Sequence, residues 1–289
     1  MNQFKLPMPD FSDPKKSIVV NRKIRYFLRH LLFFKYKKKF ENFLNQNAEL
    51  KNFCIKNSWI LYAIYRNFCN IKFNVKERYE YLTHDLLQGY IFFKGFLNPA
   101  LKIYHLTDTE DSNLEISLSC NGNACEEGFW NIHLHYNQTP IYQISYCITP
   151  NNDLLIACVQ GIKGNFDAMQ INKILTKKCH GLRPSALLIE CAKLLTTSLK
   201  LNQTLGIHET AQLRYGKSKN KGYFVDYQKI WLENGGELIK INKHKYYKLH
   251  HSQKNLEEIP SQKRSMYKKR FAMLEEIKTN LDKTLSIQD

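Results

Sequence analysis

The chain has 289 residues, 43% of them apolar and 13% aromatic, enough to bury a core as one large domain or two modest ones. With 12 glycines and 8 prolines it is neither fibrous nor low-complexity, and global disorder is excluded. The formal charge of +17 is concentrated: residues 14–40 carry ten Lys or Arg and no acid, residues 240–270 carry ten against Glu257 and Glu258, and the remaining body nearly cancels. Such a distribution points to an anionic partner, with phospholipid, lipopolysaccharide and nucleic acid all qualifying.

In chain order, residues 1–16 hold three prolines and read as an extended arm. No apolar leader core or small-residue cleavage site follows, and no stretch approaches the 18 apolar residues of a spanning helix, so a cytoplasmic protein is expected. Residues 17–105 read as a basic helical region. Ile24, Phe27, Leu28, Leu31 and Phe34 repeat at helical spacing, with Arg22, Arg25 and Arg29 on another face. This suits an anionic membrane surface, and equally a core helix with a solvated basic face. Further helices are predicted around 41–54, 57–68 and 77–96. No nucleic-acid-binding signature is present, so a nucleic-acid partner is not expected.

The period then changes. Residues 113–120, 129–136, 141–148 and 153–160 alternate apolar and polar side chains between turn sequences, predicting an antiparallel meander of four strands. Helices are predicted over 167–179 and from Pro184, which suits a first helical turn. A strand near 204–213, a helix near 226–234 closed by Gly235-Gly236, and strands near 237–249 complete a core domain over 106–250. Residues 251–289 form a basic C-terminal helix. The fold class is therefore α+β: an N-terminal helical region, then an α/β domain with a mainly antiparallel sheet.

Eight cysteines lie without any CxxC pair, so reduced thiols are expected and no metal site. Cys179 adjoins His180, but sequence neighbours rarely present side chains to one another, and a structural thiol is the reading taken. His180, in a loop beside Arg183, could serve as a general base or as a structural, helix-capping His. Arg183 and Lys177 could hold a phosphate or carboxylate where the helix after Pro184 begins; the alternative is an ion pair of Arg183 with Glu190 or Glu127. Gln160, Gly161 and Gly164 follow a strand in a run that resembles a pyrophosphate-binding loop, although the glycine spacing also fits a plain turn.

Several stretches together resemble the VirK/YbjX family of bacterial virulence and envelope-homeostasis proteins. They are Gln160-Gly161, Thr176-Lys177, His180-Gly181-Leu182-Arg183-Pro184, Trp231 with Gly235-Gly236, and Ile259-Pro260-Ser261-Gln262-Lys263-Arg264 leading to Tyr267-Lys268-Lys269-Arg270-Phe271. Glu127-Gly128 and His84 also fit, and the resemblance covers roughly residues 75–275. One departure is Gln228 after Tyr227, where the family has an aspartate; Asp226 precedes that tyrosine instead. The resemblance implies a role in virulence, antimicrobial-peptide resistance and outer-membrane homeostasis. The order of elements also resembles the GNAT acyltransferase superfamily. That implies an acyl thioester donor, acyl-CoA or acyl carrier protein, an envelope-component acceptor, and His180, Arg183 and Glu127 as catalytic candidates. The reading from a different class is a non-enzymatic scaffold that recruits envelope-modifying partners to the membrane.

Overall fold

The computed structural model describes residues 3–7, 24, 27–93, 100–107, 113–120, 125–161, 168–215, 225–251 and 255–286. Most of the expected arm lies outside them. The part that is described, residues 3–7, runs extended along α1 (Phe34–Gln46): Phe4 N–H donates to Asn45 Oδ1 at 2.9 Å and Leu6 N–H to Glu41 Oε1 at 2.8 Å. After α1 come α2 (Ala48–Lys56) and a 3-10 turn (Ser58–Tyr65), where one helix each over 41–54 and 57–68 was expected. Asn47 separates α1 from α2: its side chain turns back onto Phe43 O at 2.8 Å, offering the backbone a local alternative to continued helix.

The helix α3 (Val75–Phe93) starts in a capping box. Glu77 N–H donates to Asn74 Oδ1 at 3.0 Å, and Asn74 N–H donates to Glu77 Oε2 at 2.9 Å. The same carboxylate meets Lys243 at 2.9 Å and His244 at 3.0 Å, tying the helix to the last hairpin. Burial raises the Glu77 carboxyl, but the Asn74 N–H, His244 and Lys243 outweigh it and hold the pKa down at about 2.

The sheet has eight strands: β1 (Leu101–Thr107), β2 (Asn113–Cys120), β3 (Trp130–Tyr136), β4 (Thr139–Ile148), β5 (Leu154–Gly161), β6 (Thr204–Ile207), β7 (Gly236–Ile241) and β8 (His244–Leu249). Their order is β1-β2-β3-β4-β5-β6-β8-β7. The four expected meander strands are β2–β5, and Leu114, Ile116 and Leu118 point inward as their alternation requires. The unexpected strand β1 adds a fifth at the edge and straddles the expected boundary at 105/106. A bulge between Lys102 and Tyr104 breaks its alternation, so Ile103 and Tyr104 are both buried. The expected strand over 204–213 ends at Ile207, because His208 caps a 3-10 turn over Glu209–Ala211.

All neighbouring pairs are antiparallel except β5 and β6, which pair in parallel along Leu154–Ile156. The crossover between them holds α4 (Ala168–Lys178) and α5 (Pro184–Ser198). After α6 (Tyr227–Glu233) and the β7–β8 hairpin, α7 (Ser261–Ser286) packs on α5 and β1. One buried apolar cluster runs from Leu6 through the sheet to Leu281, crossing every boundary between the expected regions.

At the centre of that cluster α3 presents Asp85, fully buried. It accepts Ile148 N–H at 2.7 Å, Trp130 Nε1–H at 2.9 Å and Phe129 N–H at 3.3 Å. Burial pushes its pKa up to about 8 against the pull of those donors. Asp85→Ala leaves three buried N–H groups without an acceptor and should lower stability by roughly 3–5 kcal/mol in denaturant titrations. The raised pKa means that the folded protein keeps a proton the unfolded chain releases above about pH 4. This contribution is therefore complete at low pH and lost as pH rises through about 8. The stability difference between wild type and Asp85→Asn should shrink over that window, by at most about 1.4 kcal/mol per pH unit.

Candidate functional site

The HGLRP run connects α4 to α5, and its conformation follows from how α4 ends. His180 N–H donates to Lys177 O at 3.2 Å and Gly181 N–H to Thr176 O at 2.8 Å, the two bonds of a Schellman ending. Both residues are left-handed, His180 at φ 50° and Gly181 at φ 83°. Histidine tolerates that region better than most side chains. A Cβ on Gly181 would stand 2.8 Å from Arg270 Nη2 and 3.0 Å from Met266 Sδ of α7. Arg270 donates from Nε at 3.0 Å and Nη2 at 2.8 Å to the His180 carbonyl, with its guanidinium 4.1 Å above the Tyr267 ring. Two stretches remote in sequence thus form one clamp. Arg183 is the N-cap residue of α5 without a side-chain cap, and Pro184 begins the helix.

Around this loop lies a cavity of about 1310 Å³. One wall is a face of α4, with Met169, Asn172, Lys173, Thr176 and Lys177 at helical spacing. The second is the loop, with His180, Arg183 and Ser185, and the third is the first turns of α7, with Gln262, Ser265, Met266 and Lys269. Lys173, Lys177, Arg183 and Lys269 all contribute, and among the described residues no Asp or Glu lines the cavity. Arg183 meets Glu233 at 3.6 Å with both side chains largely exposed, a pair worth little; Glu190 binds Lys193 at 2.8 Å instead. Among the described residues Lys173, Lys177 and Lys269 have no ion pair. The N-terminal turns of α5 and α7 both border the space, and their helix dipoles reinforce its positive field.

Tyr142 of β4 closes the floor. It pairs with Gly161, and its ring lies 3.2 Å from where a Cβ on Gly161 would stand. The cavity therefore sits at the carboxyl end of β5, the position where ligands bind beside parallel strands. Beyond Ile156, β5 leaves β6, and Val159 N–H donates to the Tyr227 hydroxyl at 3.2 Å.

The structure thus brings Lys177, His180 and Arg183 to one cavity, with Gly161 beneath it. Gln160 and Gly161 are strand residues paired with Gln143 and Tyr142, and Gly164 lies outside the described residues. Glu127 is not on the cavity wall. It ends a 3-10 turn, is buried, and meets Gln212 Nε2 at 3.3 Å, Arg214 Nε at 4.0 Å and the Cys158 thiol. Burial raises its pKa, partly offset by Cys158, Arg214 and Gln212. Asp226 caps α6, accepting Lys229 N–H at 3.0 Å. Cys179 is buried, which pushes its thiol up to about 12 and leaves it inert. Among the described residues no group of three His, Cys, Asp or Glu could hold a metal ion.

Sequence reading missed Tyr142, Lys173, Lys269 and Arg270 as site residues. The spacing of Asn172, Lys173, Thr176 and Lys177 on one helix was the available signal; nothing local announced the approach of α7. Gly181→Ala, forced into a left-handed backbone and against Arg270, should lose about 1–2 kcal/mol in thermal denaturation. Arg270→Lys, without the fork that grips the His180 carbonyl, should lose about 1 kcal/mol.

Comparison with known proteins yields a match over residues 15–283 to the family described as "Protein of unknown function (DUF535)". An uncharacterized protein of Haemophilus influenzae is 33% identical over 268 residues, covering 91% of this chain and 89% of the relative. "Membrane protein LapB" of Mannheimia haemolytica is 30% identical over 220 residues, 73% of this chain and 94% of that protein. "Uncharacterized protein YbjX" of Escherichia coli is 25% identical over 213 residues, 71% of this chain and 64% of that protein. No solved structure matches. No helix among the described residues is long and apolar enough to cross a membrane. With nearly the whole chain matched, it belongs to the DUF535 family, the VirK/YbjX family.

Proposed function

We propose that the chain is a bacterial envelope acyltransferase, working peripherally at the inner face of the cytoplasmic membrane and supporting envelope homeostasis and antimicrobial-peptide resistance. The observation that carries the reading is the cavity: among the described residues, four cations and no carboxylate line it, with two helix N-termini at the carboxyl end of β5. Coenzyme A and the phosphopantetheine arm of acyl carrier protein both bring phosphate esters, which such a cavity would hold. The order of elements on which the GNAT resemblance rests supports the same donor, and a relative named as a membrane protein supports the location.

In this reading Lys173, Lys177, Arg183 and Lys269 neutralise the donor's phosphates and orient it. An acceptor amine or hydroxyl displaces the thiol from the donor's carbonyl, and its proton passes to a base. His180 is at the cavity and is the candidate for that base. Glu127 would act only on an acceptor reaching the far side of β5 at Cys158. Its separation from the cavity favours the second reading, a scaffold that binds the same ligand without turnover.

Calorimetric titration with coenzyme A and with pantetheine, which lacks the phosphates, tests the donor. Coenzyme A should bind at least about tenfold more tightly, about 1.4 kcal/mol, and Lys177→Gln with Lys269→Gln should abolish the preference. Equal binding, or none by folded protein, overturns the reading. His180→Asn keeps a side chain tolerant of the left-handed backbone. It should bind coenzyme A normally while ending acyl transfer to envelope material, measured by mass spectrometry; normal transfer removes His180 as the base.

A further inference from the structure

The helix that leads into α1 changes character at Phe33. From there on it is anchored: Phe33, Phe40 and Leu44 are buried, Arg78 lies 5.3 Å over the Phe33 ring, and Tyr36 meets Tyr79 at 5.5 Å. Ahead of that point the apolar residues face outward. Ile24, Phe27, Leu28, Leu31 and Leu32 are 53%, 62%, 54%, 59% and 75% exposed. Their spacing of three, four, seven and eight residues puts them on one stripe of the helix. A stripe of this kind in a soluble core would be covered; here it lies open, and it is held in place by His30 stacked on Tyr65 at 6.2 Å.

The charges beside the stripe identify what covers it. Arg29, Lys35, Lys38 and Lys39 are exposed along the same helix, and residues 14–40 contain no carboxylate. Lys38 lies 4.6 Å over the Phe34 ring, so its ammonium sits where the apolar and wet sides of the helix meet. Pairing with a second copy would set one cationic helix against another and is opposed by repulsion. A nucleic acid would satisfy the cations but leave the aliphatic stripe in water. An anionic lipid surface meets both demands, with acyl chains under the stripe and phosphates beside the cations. In the second basic segment Lys269 lines the cavity, Arg270 grips the His180 carbonyl, and Arg264 donates to Ile259 O at 2.9 Å, and among the described residues no such apolar stripe adjoins them.

We propose that Ile24 and residues 27–39 form a docking surface that lies in the plane of an anionic leaflet, with Ile24, Phe27, Leu28, Leu31 and Leu32 inserted and the flanking cations on the headgroups. This rests on the peripheral part of the functional reading and is independent of acyl transfer.

Co-sedimentation of the full chain with vesicles tests it, using phosphatidylcholine alone against phosphatidylcholine with one third phosphatidylglycerol. The protein should sediment with the anionic vesicles and not with the neutral ones. Phe27→Ser with Leu31→Ser should weaken that binding at least about tenfold, since both side chains are exposed and their loss leaves the fold and coenzyme A binding unchanged. Arg29→Gln with Lys38→Gln and Lys39→Gln should weaken it similarly and remove its sensitivity to salt. Wild-type protein that ignores anionic vesicles, or a stripe variant that binds as well as wild type, overturns the proposal. So does a stripe variant that alters only the oligomeric state in sedimentation velocity, which assigns the face to a second copy. Loss of coenzyme A binding alone bears on the donor cavity and leaves the docking surface standing.

Discussion

A carboxyl group shut away from water must find hydrogen-bond partners inside the protein, and Asp85 is met by two backbone N–H groups and an indole. Those donors belong to β3, the residue before it, and the end of β4. One side chain of α3 therefore fixes the helical layer to the middle of the meander in a single register. Any slide of the helix by a residue would orphan all three donors at once, which no gain in apolar contact would offset. The same helix admits Trp130 only because Gly89 has no Cβ to overlap the indole, and its first turn reaches the final hairpin through Glu77. The sheet between these two ties inherits its position from them.

That fixed frame is what gives the basic cavity a shape. Like charges do not gather by themselves. Lys173, Lys177, Arg183 and Lys269 are held near one another because α4, α5 and α7 are packed by their apolar faces, and because Arg270 locks the loop between α4 and α5 onto α7. Their mutual repulsion is a cost carried by the core, and a phosphate-bearing ligand would relieve it. The clamp itself uses the carbonyl of His180, the residue that closes the end of α4, so the helix terminus and the cavity wall are one construction.

The two basic segments, similar in charge, sit in different surroundings. Residues 261–270 are folded into α7, where Lys269 faces the cavity and Arg270 the loop before α5. Along residues 27–39 Arg29, Lys35, Lys38 and Lys39 stay in water next to an exposed apolar stripe. The distinction is one of packing: α7 buries Met273, Ile277 and Leu281 against the body, whereas Ile24, Phe27, Leu28, Leu31 and Leu32 are all more than half exposed.

The local alternation of Leu114, Ile116 and Leu118, the turn residues between strands, and Pro184 at a helix start were legible along the chain, because each is a constraint among neighbours. The same holds for the helical spacing of Phe27, Leu28 and Leu31, for the charge runs, and for the inert setting of the cysteines. The sequence alone therefore determined the α+β class and most elements, and it singled out Lys177, His180 and Arg183. Only the tertiary structure decided that β5 pairs in parallel with β6, that β8 lies between β6 and β7, and that β1 extends the sheet despite its bulge. It alone set Glu127 apart from His180 and brought Arg270 to the HGLRP loop across 90 residues. The physical reason is one of range: alternation and capping act over a few residues and leave a trace in sequence, whereas a hydrogen bond or a field between distant segments exists only once a packed core has fixed where each segment lies.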